Sequence, residues 1–328
     1  MRKSFLVVPA ALLLAIACGV DDGDADVASS DPRAQVAASP IDAATPSVAA
    51  PDAATPDAAN FVAWKTDEFE LAAGKERYLC FTKTLEEDLV IDGYQTAGLP
   101  YVHHLIFSRN RQPGKPGFEE CTESFRMAWD PVFITGAGAA KLEFPKDAGH
   151  KLPKGTQLVV QMHLLNTSEE AVKGALEIDM HRSSVANPRP VNSYIFGSPE
   201  INLPPNAVSK VTGDCTMREK LDIIAGFPHM HMLGTAMTFE TGTSKTELKT
   251  QFKRDPFSFD SQSIEPMNLT LSPGDVTRTT CTYKNTHNQV VKYGESSMSE
   301  MCYFIAFAVD RQAQSACLSS LPPLTGLR

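Results

Sequence analysis

Long stretches with apolar residues at helical spacing are missing from this chain, and their absence points away from helical architectures toward an all-β protein. A basic face is missing as well. Thirty Lys and Arg stand against 39 Asp and Glu, a formal charge of −9, and no basic stripe runs along any segment, which argues against a nucleic-acid partner. Nor is any apolar run long enough to span a bilayer as a helix. The apolar run at the start of the chain, Phe5 to Ile16, falls short of the roughly 20 residues such a span needs.

That short run instead reads as part of a secretory signal. Arg2 and Lys3 form its basic start and Ala17 the small residue before Cys18. Leu14-Ala15-Ile16-Ala17-Cys18 also has the form of a bacterial lipobox, which makes residues 1–18 a lipoprotein signal with Cys18 as the lipidated mature N-terminus. Gly19 after it, rather than Asp, favours sorting to the outer membrane or cell surface; plain cleavage and free secretion is the alternative. Residues 19–60 are built almost entirely from Ala, Asp, Pro, Ser, Thr and Val. They hold too little apolar bulk to offset the entropy of ordering, so a disordered tether is expected there.

The remainder is punctuated by Gly and Pro into short, β-branched or alternating segments such as Leu158 to Leu165, Ile223 to Phe227, Val276 to Tyr283 and Tyr303 to Val309. Sandwich or jelly-roll layers are the expected architecture. Prolines cluster from Pro188 to Pro205 around a short apolar run, which places a boundary near residue 195 and predicts domains at 61–195 and 196–328. Apart from Cys18 there are six cysteines, an even number in an exported chain, which suggests three disulfides. Sequence alone does not choose among the pairings they allow; proximity in chain and domain favours Cys80–Cys121, Cys281–Cys302 and Cys215–Cys317.

Among eight histidines, five lie in three places: His103 and His104, then His163, then His229 and His231. With Met301 they make a set of imidazoles plus one thioether, which suits copper cycling between two oxidation states because soft sulfur favours the reduced ion. On a strand, His163 shares a face with Val159, Gln161 and Leu165, opposite Leu158, Val160, Met162 and Leu164. Alone it reads as a hydrogen-bonded strand histidine. His229 and His231 at i and i+2 would face the same way, about 7 Å apart along a strand. His103 and His104 are adjacent and would point to opposite faces, so both reach one ion only at a bulge, a strand end or a rim. Met301 alone reads as a core filler. His150, His181 and His287 sit in polar or loop-like surroundings and read as surface residues.

Taken in order, these residues carry a resemblance. Tyr101-Val102-His103-His104-Leu105, Gln161-Met162-His163, Pro228-His229-Met230-His231-Met232-Leu233-Gly234, Thr280-Cys281-Thr282-Tyr283 and Ser299-Glu300-Met301-Cys302 follow the order and rough spacing of a known family. The chain resembles the copper type II, ascorbate-dependent monooxygenases, the family of peptidylglycine α-hydroxylating monooxygenase and dopamine β-monooxygenase, from about Arg77 to about Val309. The resemblance implies two tandem jelly-roll-like β-sandwich domains facing each other across a copper-bearing interdomain cleft, with two mononuclear coppers per chain. It makes His103, His104 and His163 ligands of an electron-transfer copper, and His229, His231 and Met301 ligands of the catalytic copper that binds O2. Tyr78 and Gln161 fall where the family has residues beside the first copper. The three favoured cysteine pairs also correspond to family disulfides.

The implied reaction is hydroxylation of a C–H bond of a small organic substrate with O2 and a one-electron reductant such as ascorbate. Peptide amidation is not expected, because the family's carboxylate-binding arginine two residues before HxH is Phe227 here. Its tyrosine and asparagine after the ligand methionine are Ile305 and Tyr303. Phe227, Tyr303 and Ile305 are the expected substrate pocket and suggest an apolar or aromatic substrate. The alternative is a non-catalytic copper-buffering lipoprotein of the cell envelope, supported by Met230, Met232 and Met237 around the HxH. The sequence leaves the oligomeric state unknown.

Overall fold

The computed structural model describes residues 60–121, 128–311 and 315–320. The expected signal, Cys18 and all of the tether except Asn60 lie outside them. Within the described residues there are 23 strands and no α-helix, in agreement with the all-β reading. The short segments picked out from β-branched content and punctuation are strands at Gln157–Leu165, Leu221–His229, Val276–Lys284 and Tyr303–Val309.

One ten-stranded sheet runs through both halves of the folded chain. Its central strands, Arg189–Gly197, Tyr303–Val309 and Leu221–His229, pair in that order. Arg189 and Pro190 also pair in parallel with the strand Ala148–Leu152, so Arg189–Gly197 connects the first-half strands of the sheet to the second-half strands. The expected boundary at residue 195 therefore falls inside a strand. A five-stranded sheet, containing Glu76–Thr84, Gln157–Leu165 and Val102–Asn110, belongs to the first half. A four-stranded sheet, containing Val208–Thr216, Val276–Lys284 and Gly234–Gly242, belongs to the second.

The Tyr303–Val309 strand is buried on both faces, and its two faces go to different cores. Tyr303, Ile305, Phe307 and Val309 pack into a cluster with Leu105, Phe107 and Phe133 of the first half. Phe304, Ala306 and Ala308 pack with Phe196, Phe239 and Tyr283 of the second. This is the period of two expected of a strand covered on both sides. In Gln157–Leu165 the alternation also holds: Leu158, Val160, Met162 and Leu164 enter the first core, while Val159 joins Cys80, Cys121 and Trp129 in a small cluster behind the five-stranded sheet.

The three disulfides are Cys80–Cys121, Cys215–Cys317 and Cys281–Cys302, the pairs that proximity favoured. Three disulfides place the chain outside the cytoplasm. Both halves also use one local device. Asn166 donates its side-chain amide to the carbonyls of Leu71, Ala72 and Glu170, and Asn285 donates in the same way to Leu203, Pro204 and Gln289. Each asparagine ties the end of a central strand to an earlier segment of its own half.

His150 corrects the surface reading. It is buried, with Nδ1 2.7 Å from the Tyr94 hydroxyl and Nε2 2.9 Å from the Val191 carbonyl oxygen. Its polar neighbours Asp147 and Lys151 point outward while the intervening strand crosses the large sheet, which is why composition concealed it. His181 is half-buried and paired with Asp92, and His287 is half-buried in a turn.

Asp130 is the buried charge of the first half. Its carboxylate lies 2.9 Å from Arg109 Nη2 and 3.3 Å from Arg111 Nε, with no exposed surface. Asp130→Ala removes charge-assisted bonds to two partly exposed arginines and is expected to destabilise the protein by about 1.5–3 kcal/mol in a denaturant titration; an unchanged midpoint would contradict this account of the pair.

Candidate metal centre

Two one-residue bulges aim the histidines. Gln157–Leu165 pairs with Val102–Asn110 so that His163 stands opposite His104, but the next pair is Leu164 with Val102. His103 is thus the extra residue, and the bulge removes the obstacle that adjacent strand residues face opposite ways. His103, His104 and His163 are all buried, and one ring nitrogen from each lies within 4.8 Å of the others.

The second bulge lies in Leu221–His229, between Ile223 and Ala225. Before it Leu221 and Ile223 face the second core; after it Ala225 and Phe227 face the first. His229 follows on that reversed side and its ring meets His104, centroid to centroid, at 5.7 Å. Strand Leu221–His229 ends at this residue, so His231 is not on a strand as expected, yet the two rings still lie 5.1 Å apart.

Hydrogen bonds select which nitrogen each ring keeps available. Glu76 Oε1 lies 2.7 Å from His163 Nε2, and Asp260 Oδ1 lies 3.1 Å from His103 Nε2. The Nδ1 atoms of His103, His104 and His163 are buried without a hydrogen-bond partner. Buried polar atoms are rarely left so, and three of them on clustered rings, two of those rings oriented by a carboxylate, are what a bound metal ion would satisfy. The second group is arranged the other way round. His229 Nδ1 lies 2.9 Å from Gln262 Oε1 and His231 Nδ1 2.9 Å from the Ser299 carbonyl oxygen, so in both rings Nδ1 is the engaged nitrogen.

Glu300 holds the second group together. Its buried carboxylate accepts from the backbone N–H of His231 at 2.9 Å and of Leu233 at 2.7 Å. Burial raises its pKa to about 7 against the pull of these amides and that of Met301. Met301 follows directly, fully buried; its carbonyl accepts from the Tyr283 hydroxyl at 2.6 Å and its neighbour Cys302 is tied to Cys281. Phe227, Tyr303 and Ile305 belong to the same buried cluster as Met301. Tyr78 stacks flat on His163, and Gln161 is fully buried on the His163 strand.

One loop reaches both groups. Phe259 stacks on His103 with centroids 3.8 Å apart, Asp260 bonds His103, and Gln262 bonds His229. Gln262 Nε2 also donates to the Phe259 carbonyl at 3.1 Å, closing the loop on itself. Sequence reasoning missed this loop, as well as Glu76 and Glu300. A carboxylate one residue before the expected methionine ligand was the only signal within reach.

Burial depresses every imidazole in the cluster. His229 falls to about 3 and His231 to about 4, chiefly by desolvation and then by neighbouring histidines or against a backbone hydrogen bond. His104 falls well below the usual value for the same first cause, and His103 and His163 fall although Asp260 and Glu76 oppose the shift. All five rings are therefore neutral near pH 7 and ready to ligate.

The sign of the linked pH effect follows. Folded pKa values below the unfolded value mean that protons favour the unfolded chain, so this stability is complete above about pH 6.5 and is lost as pH falls toward 4 and 3. Each imidazole contributes up to about 1.4 kcal/mol per pH unit. Glu300, raised rather than lowered, acts in the opposite sense but is one group against several. The metal-free protein is expected to show a falling melting temperature from pH 7 to pH 4.5, reduced by metal loading; a flat profile would contradict neutral burial of the rings.

Residues 193–326 match the family model described as copper type II ascorbate-dependent monooxygenase, C-terminal domain. The match includes His229, His231, Gln262, Glu300 and Met301, the whole of the second group with its supports. Over these residues the chain is similar to the C-terminal domain of copper type II ascorbate-dependent monooxygenases.

Proposed function

We propose that this protein is a copper-dependent monooxygenase that hydroxylates a C–H bond of a small apolar or aromatic substrate, using O2 and a one-electron donor. The observation that carries the reading is the cluster of three buried histidines, each with a partnerless Nδ1, beside a second pair of histidines in the stretch that matches a copper monooxygenase domain. His103, His104 and His163 of the 61–195 sandwich would hold one copper; His229, His231 and Met301 of the 196–328 sandwich would hold the other. Bound copper supplies O2 activation and one-electron storage, and a thioether among its ligands favours the reduced ion.

The chain's own residues do the rest. Glu76 and Asp260 orient the His163 and His103 rings through Nε2, while Gln262 and the Ser299 carbonyl orient His229 and His231 through Nδ1. Glu300 fixes the His231 to Leu233 turn beside Met301. Contact between the His104 and His229 rings gives electrons a short path between the groups. Phe227 in place of a carboxylate-binding arginine, with Tyr303 and Ile305, supports an apolar substrate and speaks against peptide amidation. A lipid anchor at Cys18 would keep the enzyme on the cell envelope.

The copper-buffering alternative draws on the additional methionines. Met230 and Met237 are fully buried in the second core, and Met232 alone of the three is exposed. That arrangement favours the enzyme.

Two outcomes test the reading. With labelled O2, a reductant and a panel of arylalkyl substrates, the wild type should place one labelled oxygen in product. Met301→Ala should lose this activity by orders of magnitude while keeping its circular dichroism spectrum; persistent activity would remove Met301 from the site. Glu76→Gln should weaken copper binding at the first site by about 10- to 100-fold in a competition titration, and unchanged affinity would show that Glu76 does not orient His163.

A further inference from the structure

Between the short strand Val291–Lys292 and Met301 the chain forms a loop that closes on itself. Tyr293 and Glu300 pair as an isolated bridge, the Gly294 N–H donates to the Glu300 carbonyl at 3.3 Å, and the Glu300 N–H donates to the Lys292 carbonyl at 3.1 Å. Inside the loop Ser299 gives both its N–H and its hydroxyl to the Ser296 carbonyl, at 2.9 and 2.7 Å. Glycine at 294 permits this closure, because a Cβ there would stand 2.6 Å from Ser299 Oγ.

Contacts from the loop go to both histidine groups. The Ser299 carbonyl oxygen lies 2.9 Å from His231 Nδ1. The Glu295 carbonyl accepts from the Tyr78 hydroxyl at 3.2 Å, and the Tyr78 ring lies flat on His163. Buried Ser297 donates its hydroxyl to Glu76 Oε1 at 2.8 Å, the same oxygen that lies 2.7 Å from His163 Nε2. Glu76 gains from this third partner, since its side chain is 36% exposed and water competes for the carboxylate. A buried hydroxyl with a single proton to give selects the rotamer in which Oε1 receives the His163 Nε2–H. That choice fixes the tautomer of the ring and keeps its Nδ1 as the unprotonated nitrogen.

We infer that Ser297 is a positioning residue of the three-histidine group, acting through Glu76, and that the loop carrying it is a brace by which the second half completes the metal site of the first. The identity of the metal rests on the copper monooxygenase reading above. Ser297 and Glu76 are 221 positions apart in the chain, so the first group is finished only when the second half has folded against it. The same loop holds His231 by the Ser299 carbonyl, so one closed segment supports a ligand of each group.

The test is a double-mutant cycle on the full chain, read as Cu(I) affinity against a competing chromophoric chelator. His229→Ala is carried throughout, which takes a ligand from the second group so that the titration reads the first. Ser297→Ala should weaken binding about tenfold, and Ser297→Thr, which keeps the hydroxyl, should restore it. In a Glu76→Gln chain Ser297→Ala should change the affinity by less than about twofold, because its route to His163 has gone. With His229 intact, the copper–sulfur contribution to the X-ray absorption of the reduced chain should be the same in Ser297→Ala as in the wild type.

Unchanged affinity in Ser297→Ala, equal losses in the Ala and Thr variants, or full additivity with Glu76→Gln would overturn the positioning role. Loss of the copper–sulfur contribution in Ser297→Ala would overturn it as well, since the substitution would then have collapsed the loop. A chain that binds no copper would overturn the monooxygenase reading instead. The brace is still decided in that case by nitrogen NMR of the copper-free chain, which should find His163 in the Nε2–H form in the wild type and in a mixture of tautomers in Ser297→Ala; identical spectra would overturn it.

Discussion

Side chains alternate strictly along a β-strand, and a single inserted residue reverses the alternation for everything after it. The histidine cluster depends on two such insertions. At His103 the extra residue lets two neighbouring histidines reach the same point as His163. At Ile224 it turns the rest of the strand from the second core to the first, which carries His229 to His104. Removing either bulge would leave most of the pairing intact and send a histidine to the wrong face.

Around these positions the protein desolvates its histidines and then compensates selectively. Five buried imidazoles, held neutral by burial, would be a stability cost in a metal-free protein. Each of four rings has one nitrogen engaged, by Glu76, Asp260, Gln262 or the Ser299 carbonyl, so the other nitrogen is the one left for an ion. The two groups differ in which nitrogen that is. Glu300 adds a buried carboxylate that serves backbone amides alone, and so fixes a turn that lies beyond the end of its strand.

Much of the architecture was legible in the sequence because it rests on local chemistry. Alternation and β-branched content gave the strands Gln157–Leu165 and Tyr303–Val309, and cysteine proximity gave three bridges. The bulge at Ile224 was not legible: Ile223, Ala225 and Phe227 keep a period of two in the sequence, and only the pairing register reveals the inserted residue. Nor was the contact of Phe259, Asp260 and Gln262 with histidines of both groups, which depends on where a loop returns in space. His150 misled for a related reason, since polar neighbours mark one face of a strand and say nothing of the other.

The assignment of two ligand sets, one of imidazoles alone and one including a thioether, is tested most directly by counting copper in the purified, loaded and reduced chain and recording its X-ray absorption. The account predicts two coppers per chain and a copper–sulfur contribution that disappears in Met301→Ala. A single copper, or two without any sulfur ligand, would contradict it.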